Sequence, residues 1–110
     1  MPDNQEVLLA TSDEVPGRTI VKVLGLVRGN SVRVRAMGRD IQALLRTVVG
    51  GKVGVYVELL EQTRAEAIDK MVEEALKLGA NGVVATRLAT SQIMGNAAEV
   101  VAYGTAVVLE

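Results

Sequence analysis

The sequence predicts an α+β subunit of two layers, a mostly antiparallel β-sheet packed on one long and one shorter α-helix. Three observations predict it. β-branched runs near both ends of the chain, TIVKVLGLV at 19–27 and the Val-rich stretches 83–92 and 99–109, read as strands. Between them lie two apolar stripes of helical period. Leu-Gly-Ala-Asn-Gly at 78–82 then turns the second helix directly into a strand. The order is β-β-α-α-β-β in a single domain over 1–110, with residues 1–6 expected to form a flexible lead.

Each element has a local reason. Val7-Leu8-Leu9-Ala10-Thr11 is a short apolar strand. Val15-Pro16-Gly17-Arg18 is a turn, with Pro presetting φ and Gly supplying the positive φ of a type II turn. The strand over 19–27 carries Gly25, which marks a bulge or a close backbone approach. Gly29-Asn30 reads as an interruption, and SVRVR at 31–35 alternates as a strand continuation.

A first helix is predicted over 40–49, where Ile41, Leu44, Leu45 and Val48 form one stripe, with Asp40 at its positive end and Gly50-Gly51 beyond it. A second is predicted over 57–78, about 33 Å long at 1.5 Å per residue. Its inner stripe is Leu60, Arg64, Ala67, Ile68, Met71, Ala75 and Leu78, and Gly79 stops it. On its outer face Glu66–Lys70 and Glu73–Lys77 have the spacing of intrahelical ion pairs. Gly95-Asn96 marks a hairpin turn between the last two strands.

The last strand bears on assembly. Val100, Ala102, Gly104, Ala106 and Val108 fall on one face, and Val101, Tyr103, Thr105, Val107 and Leu109 on the other. Both faces are apolar or small, whereas an antiparallel sheet normally keeps one face wet and polar. The long helix covers one face only. The other is expected to meet further copies of the chain, so a homo-oligomer is predicted.

Composition removes several classes of function. The 110 residues contain no Cys and no His, which excludes disulfides, thiolate nucleophiles, imidazole bases and the commonest soft-metal ligands. With no His to activate them, Ser12, Ser31 and Ser91 cannot complete a Ser-His-Asp triad. A net charge of −1 supplies no field for nucleic acid or an anionic membrane, and neither partner is expected. No apolar run approaches the ~18 residues of a membrane span, and the acidic start is unlike a secretory signal, so a cytoplasmic location is expected. Gly50-Gly51-Lys52-Val53-Gly54 lacks the Gly-Lys-Ser/Thr of a phosphate loop and follows a helix rather than a strand.

The remaining candidates are charged groups and one tyrosine. Glu58, Glu61 and Glu66 stand on neighbouring helical turns and could hold a hard cation through oxygen, or simply form a solvated face. Arg28, Arg33, Arg35, Arg39, Arg46 and Lys52 cluster in one third of the chain, opposed there only by Asp40. Multiplied around an oligomer axis they would make an anion funnel, with Arg33 and Arg35 as contacts; otherwise they pair with the acidic helix of a neighbour or are simply solvated. Arg64 lies on an apolar stripe and calls for a partner, Glu61 or Asp40, unless it contacts a ligand. Tyr56, beside Gly54, could offer its hydroxyl in a subunit crevice or cap a backbone group.

Several of these residues fall in one register: Ile20-Val21, Gly25, Gly29, Asp40, Arg46, Gly50-Gly51, Tyr56, Leu60, Arg64, Ala67, ALKLGANGVV at 75–84, and Gly104-Thr105-Ala106-Val107. From residue 19 onward the chain resembles the YbjQ-like family, which carries the label "putative heavy-metal-binding". The resemblance implies a dodecin-like subunit assembled into rings, typically pentamers. The label implies a metal ion, for which this chain offers carboxylates, amides and four Met. Dodecins proper bind flavin by aromatic stacking; with no Trp here, flavin is not expected. The reading is therefore a cytoplasmic, non-enzymatic ring, pentamer or stacked decamer, that holds a small ligand or ion between subunits or serves a structural role. The alternatives are a carboxylate metal site, and an enzyme working through interface carboxylate, Tyr or Arg groups.

Overall fold

The computed structural model describes residues 7–34, 53–94 and 97–110. The described elements are β1 (Leu8–Leu9), β2 (Ile20–Val34), α1 (Val53–Lys77), β3 (Gly82–Met94) and β4 (Ala97–Leu109). They form one four-stranded mixed sheet of order β1-β3-β4-β2 with α1 packed on one face. β2 and β3 pair antiparallel with β4, and only the two-residue β1 runs parallel, to β3. The α+β class and the mostly antiparallel sheet agree with the sequence. The shorter helix predicted over 40–49 lies outside the described residues, as do the lead 1–6 and the Gly95-Asn96 turn.

Punctuation residues act as their chemistry requires. Gly17 has φ 83°, and Arg18 N–H closes the Val15 turn at 3.0 Å. Gly79 has φ 87° and ends α1: its N–H donates to the Leu76 carbonyl, and that of Ala80 to Ala75, both at 3.0 Å. That pair of bonds satisfies carbonyls a helix end leaves open. Gly25, at φ 130°, sits at the β2 register shift between Val23 and Gly25, and the space where its Cβ would stand is empty. It is therefore a bulge and not a close approach.

Three local expectations are corrected. Gly29-Asn30 does not interrupt β2, which runs unbroken from Ile20 to Val34. A Cβ at Gly29 would fall on the Met71 backbone N and the Ala67 carbonyl O, so this glycine lets strand and helix touch backbone to backbone. α1 starts at Val53, four residues before the predicted start. Its buried stripe is Thr63, Ala67, Met71, Val72 and Ala75, while Leu78, one residue past its end, is exposed. Arg64 is half-buried.

Glu66 and Lys70 turn to β2. Ser31 Oγ donates to Glu66 Oε1 at 2.7 Å, and Lys70 Nζ donates to the Asn30 carbonyl at 3.0 Å. These bonds lie immediately beside Gly29 in sequence and tie the helix to the strand. Lys77 pairs with Glu74 at 3.3 Å, one residue from the expected Glu73.

The main core lies between α1 and the helix-facing side of the sheet, around Met71, Ala67, Ala75, Val27, Val83, Ala102 and Ala106. Full burial of a Met side chain contributes about 1.5–3 kcal/mol, and Met71 has no exposure. A second cluster forms on the opposite face, where Val15 and Ile20 pack on Val84, Val107 and Leu109. The N-terminal segment is held there by Ala85 N–H to the Ser12 carbonyl and Thr86 N–H to Ala10, both 2.9 Å. Ala85 adopts φ 54°, at a register shift of β3 between Val84 and Arg87. The face opposite α1 is thus covered at one end by the chain itself.

Candidate functional site

Beyond that cover no other described strand or helix packs on the outer face. Cross-strand partners in register share a face, which places Leu26, Arg28, Asn30 and Val32 of β2 beside Thr105, Tyr103, Val101 and Glu99 of β4. Leu26 is 70% exposed, Val32 42% and Tyr103 38%. On β3 the same face continues with Arg87 opposite Tyr103, Ala89 opposite Val101 and Ser91 opposite Glu99. The sheet therefore carries a row of Arg28, Tyr103 and Arg87 across three strands, all exposed.

Arg87 is oriented: its Nη1 donates to the Thr11 carbonyl at 2.8 Å and the Thr86 carbonyl at 3.0 Å. Neither arginine forms an ion pair among the described residues. Among the β4 residues of this face the acid is Glu99, four residues from Tyr103, and its Oε2 already accepts from Asn30 Nδ2 at 2.8 Å.

The predicted site residues do not converge. Glu61 and Glu66 project about 140° apart around the helix axis at 3.6 residues per turn, and Glu66 is engaged by Ser31. Glu58 and Tyr56 occupy the first turns of α1 and Arg33 the end of β2, at positions whose side chains lie outside the described part. Arg35, with Asp40, lies outside the described residues. Arg64 makes no ion pair with Glu61 among the described residues. Beside the β2 edge a shallow groove is lined by Arg28, Asn30, Lys70, Glu73 and Glu74, with Lys70 committed to the Asn30 carbonyl.

The donor set of the chain bears on a heavy-metal site. The whole sequence has neither Cys nor His, and of its four Met, Met71 is sealed in the core. Among the described residues no three acidic side chains group together. Soft and borderline ions take sulfur and imidazole, so the described residues do not fit such an ion.

Fold and site together define a small α+β chain with exposed cations on one sheet face and, across its whole sequence, neither cysteine nor histidine. Its membership is direct: a family model described as "Putative heavy-metal-binding" matches residues 7–110, and the chain belongs to that family, YbjQ. A UPF0145 protein of Archaeoglobus fulgidus is 48% identical over 103 residues, 94% of this chain and 95% of the relative. A UPF0145 protein of Pyrococcus furiosus is 49% identical, covering 96% of this chain and 92% of that one. In three dimensions a Pediococcus pentosaceus protein of unknown function, from the DUF74 family, aligns with TM-score 0.62 at 18% identity over 94% of this chain and 98% of that chain. That likeness supports the fold. Neither the relatives nor the neighbour carries an established activity in its name.

Proposed function

We propose that this chain works in the cytoplasm as a non-enzymatic homo-oligomer, assembled through the β2 side of its sheet, that presents a small-ligand surface near its subunit contacts. The observation that carries the reading is β2 itself. It is a 15-residue strand at the edge of the sheet, and Val21, Val23, Leu26 and Val32 along it are 48%, 64%, 70% and 42% exposed. A long edge strand with apolar side chains is a template for pairing with another chain unless something covers it.

The opposite edge supports a head-to-tail contact. β1 pairs only with Gly82 and Val83, and beyond Arg87 no strand among the described residues pairs with that side of β3. β2 and β3 flank β4, so each copy offers one open edge of each kind on opposite sides. Contacts between unlike patches close into rings when the rotation permits, and a pentamer or stacked decamer is the ring the family resemblance implies.

The test is light scattering on the wild type and on Val23→Lys and Leu26→Lys. A multimeric wild type and dissociated Lys variants of unchanged circular dichroism are expected. A monomeric wild type overturns the assembly; intact Lys variants overturn its placement at β2.

A further inference from the structure

We infer that the cross-strand row Arg28–Tyr103–Arg87 on the outer sheet face is a binding platform for a small aromatic anion, a planar ring bearing a phosphate or carboxylate. The inference goes beyond the assembly and stands on a single copy.

Its geometry comes from the register. Tyr103 is opposite Arg28 on one side and Arg87 on the other, so an aromatic ring lies between two guanidinium-bearing positions. Adjacent strands are about 4.8 Å apart, which sets the arginine backbones about 10 Å from one another. That span suits a ring over Tyr103 with an anionic group reaching one arginine; an inorganic anion at one end would leave the ring unused. Along β4 the tyrosine is flanked on the same face by Val101 and Thr105, and on β3 Ala89 lies opposite Val101, so the floor around it carries no further charge.

The electrostatics favour an anion. Two cations stand in one row with no ion pair among the described residues; Glu99, the acid of β4 on this face, is about 13 Å along the strand at 3.3 Å per residue and engaged by Asn30, while Glu73 and Glu74 share only the edge groove with Arg28. Arg87 is held by two carbonyls through one nitrogen, which fixes its plane and leaves other donors of its fork free. A guanidinium fork matches the oxygens of phosphate and carboxylate, and a π-face accepts any aromatic ring. Tyr103 and Tyr56 are the only aromatic residues in the chain, and Tyr103 is 38% exposed at the middle of the row.

The alternative is that the arginines only decorate the tyrosine as cross-strand surface pairs. Saturation-transfer NMR and calorimetry separate the two, with adenosine 5′-monophosphate, 1-naphthoate and inorganic phosphate as probes at low ionic strength. The platform predicts saturable binding of the two aromatic anions, at least tenfold weaker binding of phosphate, and loss of affinity as salt rises. Tyr103→Ala weakens the aromatic probes about tenfold or more, Tyr103→Phe retains binding, and Arg28→Gln with Arg87→Gln abolishes it. No saturable binding of either aromatic probe, equal binding of phosphate, or binding unchanged in Tyr103→Ala overturns the proposal. Light scattering on the same samples reports assembly separately, so a monomer that binds refutes only the oligomer, and an oligomer that does not bind refutes only the platform.

Discussion

Gly29→Ala is the sharpest perturbation of this fold. An added Cβ would fall on the Met71 backbone N and the Ala67 carbonyl O, and 2.7 Å from Lys70 Cβ. Overpacking costs about 1–3 kcal/mol when side chains can yield. Here two of the three obstacles are helix backbone, so the upper end, about 3 kcal/mol, is expected. The displacement also strains the Ser31–Glu66 and Lys70–Asn30 bonds beside the contact. At about 4 °C per kcal/mol for a domain of this size, melting falls by about 12 °C. The comparator is Gly82→Ala, whose Cβ would meet Leu109 Cδ1 at 2.6 Å, the far end of a flexible side chain; about 1 kcal/mol or less is expected there. Thermal and urea denaturation by circular dichroism measure both. Met71→Ala combined with Gly29→Ala does not rescue, because the obstacle is the Met71 backbone. If Gly29→Ala lies within about 1 kcal/mol of wild type, or no lower than Gly82→Ala, α1 does not ride on β2 at this point.

Met71→Ala alone empties a fully buried position and should cost about 3 kcal/mol in the same denaturation assay. Asn81→Ala should cost about 2 kcal/mol, because Asn81 Nδ2 donates to the Leu109 carbonyl at 2.9 Å and its Oδ1 accepts the Leu109 N–H at 2.7 Å, and both groups lose their partner together. Ala85→Gly should raise stability by up to about 1 kcal/mol, since alanine at φ 54° pays a left-handed penalty that glycine does not; a lower melting temperature would show that the bulge at β3 tolerates alanine freely.

Much of the fold was legible because local chemistry decided it. Pro16-Gly17 made its turn, Gly79 ended the helix and Gly25 made its bulge, each a position where a positive φ leaves few alternatives. Gly29 misled because a glycine in a strand weakens it by local rules, whereas here its missing side chain is what a distant helix needs. The Glu66 and Lys70 pairing was misread for a similar reason: i,i+4 spacing is visible in a sequence, and a strand 35 to 40 residues away is not. The outer face was legible in part. The two-sided apolar character of β4 was visible by alternation, but its cover by Val15 and Ile20 depends on where the N-terminal segment lands.

The site was less legible than the fold. The cluster containing Arg28 stood out by density, and Tyr103 as one of two aromatics, but nothing placed Arg87 beside them. With Met94 opposite Ala97, an unbroken ladder would set Arg87 against Gly104, on the helix side. The register shift between Gln92 and Met94 moves it to Tyr103 and the outer face. A one-residue slip exchanges the faces of every following side chain, and no sequence signal fixes that shift. Glu58, Glu61 and Glu66 looked adjacent by turn count alone, though the helix sets Glu61 and Glu66 about 140° apart.

Native mass spectrometry of the untagged wild-type protein tests the proposed assembly most simply, since that proposal rests on β2 being an edge strand with Val23 and Leu26 exposed. A single closed species of five or ten copies is expected. A monomer at micromolar concentration would contradict it.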